Sequence, residues 1–158
     1  MSGLYFRGKL AYARAVVARR GAAATALVIT PTRGLLSPNA PASVALLEEF
    51  AATDITADDA RYRAPLERDL AALDRRLTAD AAVVLLGSIA TGKYVDVLAP
   101  LLGDRLYCPP AFVGRGDMSR GGLLLRSAAA GVELDCVPLT ALAARRGPRP
   151  PRFEQRRD

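Results

Sequence analysis

The sequence predicts an α/β protein of three layers, with a mostly parallel sheet of about four strands covered by helices on both faces. Three observations predict it. Short apolar runs of strand length, AAVVLLG (81–87), DRLYCP (104–109) and VELDCVPL (132–139), alternate with stretches of helical periodicity. Pro and Gly punctuate the junctions, as in PTRGLLSPNAP (31–41) and CPPAFVGRGDMSRGG (108–122). The 158 residues suit one domain, and a chain of that size buries about two-thirds of the surface it exposes when unfolded. Strand–helix–strand alternation then implies right-handed crossovers and parallel pairing.

Residues 4–20 place Leu10, Ala13 and Val17 at helical spacing with Tyr5, Tyr12 and Val16 alongside, which predicts an amphipathic helix. ATALVIT (24–30) is apolar and β-branched at its end, and reads as a buried strand. PTRGLLSPNAP is a loop. Pro41 opens a helix over PASVALLEEF, with Ser37 and Asn39 upstream as caps. TDITADDARYR (53–63) is irregular, with Asp58 and Asp59 as solvated loop charges. APLERDLAALDRRL (64–77) follows as a helix with Leu66, Leu70, Leu73 and Leu77 on one face. After the strand at 81–87 comes a helix over KYVDVLAPLL (93–102); after the strand at 104–109 comes DMSRGGLLLRSAAAG (117–131), a helix closed by Gly131. VELDCVPL is the last strand, and TALAARR (140–146) leads out of the domain. The chain opens on a helix where this architecture normally has a strand, so either the sheet lacks its first strand or the start is truncated.

Charge divides the chain. Six of the 22 basic and two of the 16 acidic groups fall in RRGPRPPRFEQRRD (145–158), so this segment carries +4 of the net +6 and residues 1–144 carry +2. The expected organisation is a single domain over 1–144 and an Arg/Pro-rich disordered tail over 145–158. The chain has no histidine, which removes imidazole general bases, His-based triads and His-containing zinc sites. Two cysteines, Cys108 and Cys136, make no disulfide framework and read as buried thiols. No run of 18 apolar residues and no apolar leader core is present, so the expected location is cytoplasmic, without membrane, metal or cofactor.

In a parallel sheet, loops leaving the carboxyl ends of the strands share one edge, where ligands bind. Here that edge collects TPTRG (30–34), GSIATGKY (87–94), CPPAFVGRGDMSR (108–120) and VPLT (137–140). These loops supply Thr30, Thr32, Arg33, Ser88, Thr91, Gly92, Lys93, Gly114, Arg115, Gly116, Ser119 and Arg120, with four cations against one acid, Asp117. Several lead into helix N-termini, whose free N–H groups favour anions. The expected ligand is therefore phosphate-bearing, a small molecule or a nucleic acid. GSIATGKY nearly matches the nucleotide P-loop, but Tyr94 stands where a hydroxyl residue should bind Mg²⁺, so a nucleotide site here is degenerate. All but two of the basic residues are arginines, and Lys93 in such a chain suggests that a compact ammonium is wanted.

In VGRGDMSRGG, Gly114 and Gly116 permit unusual backbone angles, Asp117 or Ser119 caps the helix, and Arg115 and Arg120 grip an anion. The Arg-Gly-Asp tripeptide is coincidental as a cell-attachment signal. For catalysis the candidates are Asp117 as base, Ser88, Thr91 or Ser119 as nucleophile and Lys93 as activator. None has a partner at a diagnostic spacing, so no reaction is assigned. A non-catalytic module using its basic tail against an acidic partner is the competing reading.

SGLYFRGKLAYARA (2–15) with VITPTRGLLSP (28–38), and VVLLGSIATGKYVDVL (83–98) with FVGRGDMSRGGLLLR (112–126), resemble a bacterial α/β family without an assigned activity. Its members begin with a further strand and a Cys-containing loop ahead of the first helix. More distantly, YF.GK..YA and ITPTRGLL.P are similar to α/β domains of the peroxide-stress YaaA group and to domains attached to deazaguanine nucleic-acid modification enzymes. That likeness covers roughly the first 40 residues. It implies nucleotide or nucleic-acid handling and transfers no catalytic residue.

Overall fold

The computed structural model describes residues 3–146. It contains helices α1 (Gly3–Arg20), α2 (Val44–Ala51), α3 (Ala60–Asp74), α4 (Gly92–Leu102), α5 (Asp117–Ala130) and α6 (Leu139–Arg146). The strands are β1 (Val28–Ile29), β2 (Leu35–Leu36), β3 (Val83–Val84), β4 (Leu106–Cys108) and β5 (Val137–Pro138). The protein is mixed α/β and 56% helical. The expected boundary at residue 144 falls inside α6; beyond Arg146 the Arg/Pro-rich segment lies outside the described residues.

The sheet differs from the four-stranded, mostly parallel, three-layer expectation. Among the described residues β1 and β2 form one antiparallel pair, and β3, β4 and β5 form a separate sheet in that order. β3 and β4 are parallel, Val83 opposite Leu106, whereas β5 runs antiparallel to β4, Cys108 opposite Val137. Two local causes account for this. In β1 the backbone groups are consumed by a hairpin: the Thr30 N–H and hydroxyl both donate to the Gly34 carbonyl at 2.9 Å, and Arg33 N–H donates to the Thr30 hydroxyl at 3.1 Å. Gly34 supplies the left-handed φ of 65° that the turn needs. In the last segment, Leu134 N–H donates to the Tyr12 hydroxyl at 2.9 Å instead of to a strand, and Pro138 has no N–H to offer a ladder.

Two hydrophobic clusters hold these elements. One joins Tyr62, Leu66 and Leu70 of α3 to Tyr94, Val97, Leu98 and Leu102 of α4, with Leu85 and Leu106. The other joins Tyr5 and Tyr12 of α1 to Leu124 of α5 and Phe112, with Leu86 packed against it. Adjacent Leu85 and Leu86 thus feed different clusters, as the period of extended backbone requires. The face of α3 predicted through Leu66 and Leu70 is the buried one, and Tyr62 extends it by one turn because the helix starts earlier than the sequence suggests. Asp59 is its N-cap, accepting from Arg61 N–H at 2.9 Å. Ser43 caps α2 in the same way, accepting from Leu46 N–H at 3.1 Å, in place of the expected Ser37 or Asn39. Gly131 closes α5 in the left-handed conformation, as expected.

In α1 the buried residues are Tyr5, Gly8 and Tyr12; of the predicted set Tyr5 and Tyr12 are buried, whereas Leu10, Ala13 and Val17 are only partly so. The cause is a backbone contact. A Cβ added to Gly8 would lie 2.7 Å from the Gly121 carbonyl oxygen of α5, and one added to Gly121 would lie 3.0 Å from Leu4 O and Tyr5 Cα. Gly8→Ala is therefore expected to cost about 1–3 kcal/mol by forcing the helices apart; a urea midpoint equal to that of the parent would show that they have room to separate.

Burial raises the hydroxyl pKa of Tyr5, Tyr12, Tyr62 and Tyr94 above the ordinary tyrosine value of 10.0. Above pH 10 the unfolded chain loses these protons while the folded one keeps them, so stability falls as pH rises. Tyr62→Phe is expected to flatten the dependence of the urea midpoint on pH between about 9 and 11. An unchanged slope would remove Tyr62 from the account.

Candidate functional site

Because β3 and β4 are parallel, their carboxyl ends share one edge. Residues 85–91 lead from β3 into α4, and residues 109–116 lead from β4 into α5. Both helices begin there without a side-chain cap: Thr91 makes no capping hydrogen bond, and the N-cap of α5 is Gly116. Asp117 is the first residue of α5, and neither it nor Ser119 is the cap that the sequence suggests. α2 and α3 carry side-chain caps by contrast.

The close α1–α5 crossing brings Lys9 to the same place. Its ammonium stands 4.6 Å from the Tyr5 ring centroid and 5.9 Å from that of Phe6. Burial pushes the Lys9 ammonium below the ordinary lysine value; the Asp117 carboxylate opposes this and the Lys93 charge adds to it. The Lys93 ammonium lies 5.2 Å from the Tyr94 ring centroid, and among the described residues it has no carboxylate partner. The chain has only these two lysines, and the Lys93 charge is one of the influences on Lys9. Lys9 was not among the residues the sequence nominated. The scarcity of lysine was the signal that could have found it.

Arg120 belongs to the frame beneath. It is 7% exposed, donates to the Phe112 carbonyl at 3.2 Å, lies 3.6 Å from Asp117, and has its guanidinium 5.9 Å from the Phe112 ring centroid. The Tyr5 hydroxyl donates to Leu86 O at 3.0 Å. Arg115, in contrast, is exposed; its guanidinium donates to the Ser119 hydroxyl at 3.1 Å, and among the described residues it has no carboxylate partner. Gly114 takes a φ of 74°, which requires glycine, whereas Gly116 has φ −76° and does not.

Other nominated residues are placed elsewhere or have local duties. Arg33 pairs with Glu49 of α2 at 2.6 Å, and the Thr32 hydroxyl donates to the same carboxylate, which these bonds hold below the usual glutamate range. The three line shallow grooves beside Leu36, Leu46 and Thr53. Ser88 Oγ accepts from Ala90 N–H at 3.3 Å. The space a Gly92 side chain would need is filled by the Asp96 carboxylate. The Tyr94 ring is buried in the α3–α4 cluster against Gly87, so the P-loop-like segment presents no hydroxyl at that position. Thr140 lies at the opposite sheet edge, donating to Asp104 at 3.2 Å, because β5 is reversed. Cys108 is fully buried, and burial pushes the Cys136 thiol up to about 11.

No group of three or more Cys, Asp or Glu side chains placed to hold a metal ion occurs among the described residues, and none of their helices is long and apolar enough to cross a membrane. No family model matches the chain, and no curated protein or solved structure matches it.

Replacing Arg120 by Leu removes a charged donor from the Phe112 carbonyl and the guanidinium from beside the Phe112 ring. It is expected to lower the unfolding free energy by about 2–3 kcal/mol, while Arg115→Ala stays within about 0.5 kcal/mol of the parent. Chemical denaturation of the two variants reads this directly, and equal stabilities would return Arg120 to the surface.

Proposed function

We propose that this chain binds a phosphate-bearing ligand, a nucleotide or a nucleic-acid backbone, at the carboxyl edge of β3 and β4. The observation that carries the reading is the meeting, at one edge, of two helix N-termini without side-chain caps and a lysine without a carboxylate partner. Free N–H groups at such termini act as partial positive charges and donate directly to phosphate oxygens. Lys93 adds a full charge from the first turn of α4, and Arg115 adds a second cation at the mouth of the loop before α5. Lys9 stands behind them over the aromatic rings. Asp117 limits how much negative charge the site accepts, which favours one phosphate group over a polyphosphate.

The test is a thermal-shift titration at low salt with inorganic phosphate, mononucleotides with and without Mg²⁺, and short single- and double-stranded DNA and RNA. A ligand at 100 times its Kd adds about 2.7 kcal/mol, which for a domain near this size raises Tm by about 5–10 °C. The shift is expected to disappear in Lys93→Ala and to shrink in Arg115→Ala. Binding that survives Lys93→Ala but is lost when residues 147–158 are removed would assign it to the Arg/Pro-rich segment instead. The absence of any shift would end the phosphate reading.

A further inference from the structure

We propose that the outward face of α2 is a docking surface for a second copy of this chain, the two α2 helices lying antiparallel across a two-fold axis. The proposal is independent of the phosphate reading.

α2 is a helix without a core of its own. None of its residues is buried, and among the described residues no α2 side chain belongs to either hydrophobic cluster. It is tied to the body along one side. Glu49 takes the Thr32 hydroxyl and the Arg33 guanidinium, and the Thr53 hydroxyl donates to Glu49 O at 3.1 Å. Leu46, Glu49 and Phe50 on that side are half-buried. At about 100° per residue, Val44, Leu47 and Ala51 share the opposite side. There Val44 is 73% exposed and Leu47 55%, and Ala51 is exposed with them. A surface helix ordinarily turns polar residues outward. Single exposed leucines are commonplace, but an apolar stripe along the solvent side of a helix marks an interaction surface. Eight residues also make a helix that is marginal in water by itself.

The stripe is complementary to itself in size. About a two-fold axis passing between Leu47 and Glu48, Val44 of one copy comes level with Ala51 of the other, bulky against small. The two Leu47 side chains then meet beside the axis. A parallel pair would set Val44 against Val44 and leave space between two alanines. The charges are complementary as well. Glu48 and Glu49 lie on the same flank of α2, and Glu49 holds Arg33 on that flank. An antiparallel two-fold keeps like flanks together. Glu48, exposed and without an ion pair among the described residues, therefore faces Arg33 of the second copy. That arginine is 56% exposed and has donors to spare beyond its bond to Glu49. The area sets the class of complex. Eight residues give about 12 Å of helix, so two such faces with the shallow grooves beside them fall below about 1,200 Å² in total. The pair is of the small, reversible kind, and its population follows protein concentration.

The first measurement is the mass of the intact chain by sedimentation equilibrium from micromolar to millimolar concentration. It is expected to climb from monomer toward dimer. Leu47→Glu is expected to raise the dissociation constant by at least about tenfold, as loss of a central contact does. Because Leu47 is exposed, the Tm of this variant in dilute solution stays that of the parent. A benzophenone attached to Val44→Cys then names the occupant. Irradiation is expected to give a species of dimer mass whose adduct maps to Ala51 or its neighbours. A monomer at every concentration overturns the proposal, as does a dimer that Leu47→Glu leaves intact. An adduct joining residue 44 to residue 44 overturns the antiparallel pair. An adduct of monomer mass on residues 147–158 would make the chain's own Arg/Pro-rich segment the occupant and likewise overturn it.

Discussion

The contact between Gly8 and Gly121 is the constraint on which the rest of the molecule depends. With no side chain at either position, the backbones of α1 and α5 touch, and every residue one turn away is placed by that crossing. Tyr5 reaches across to donate to Leu86 O beside the parallel strands, and its ring meets Phe112 edge to face, centroids 6.3 Å apart. Tyr12, further along the same stripe, takes the Leu134 N–H and so ties down the segment that reverses β5. Arg120, next to Gly121, is sealed beneath the crossing and bonds the Phe112 carbonyl at the start of the glycine loop. Lys9 and Asp117 then have little freedom over where they stand. Their proximity is a consequence of helix packing, not of any motif.

The two kinds of cation are used differently. Arginines are spread over the surface in ion pairs: Arg20 with Glu133, Arg33 with Glu49, Arg61 with Asp59, Arg63 with Glu67, Arg68 with Asp69, and Arg105 with Asp74. Most of these side chains are well exposed, and such pairs contribute little to stability. They do neutralise the carboxylates that would otherwise compete for a ligand. Against that background the ammonium groups of the two lysines stand over aromatic rings, Lys9 over Tyr5 and Lys93 over Tyr94.

What was legible in the sequence was what local chemistry decides. Gly131 ends α5 because left-handed backbone at that point suits glycine, and Leu66 and Leu70 face inward because their spacing leaves no other stripe as apolar. The edge itself, with the loops before α4 and α5, also followed from local alternation. The misreadings share a different cause. Hydrophobic periodicity gives glycine no weight, so it misses a helix face whose centre is Gly8. Strand direction depends on partners distant in sequence, so the hairpin closed by Thr30 and Gly34 and the capture of Leu134 by Tyr12 could not be read from composition. Arg120 looked like a surface cation because nothing in VGRGDMSRGG says that α1 lies over it. Lys9 stood in a helix read as core, 84 positions from Lys93 in a chain of 158.

The distribution of caps connects this architecture to chemistry. A helix N-terminus left without a side-chain acceptor is a liability in a structural element, and α2 and α3 show that this sequence supplies Ser43 or Asp59 where one is needed. At α5 the cap is Gly116, a residue with no acceptor to give, preceded by Gly114 in a conformation that keeps the loop backbone clear of side chains. At α4 a threonine is in place and makes no capping bond. Stability alone favours filling both positions, at about 0.5–2 kcal/mol for each cap. Leaving them open beside the one pair of lysines in the chain is intelligible if the missing acceptor arrives from outside, as the oxygen atoms of an anion.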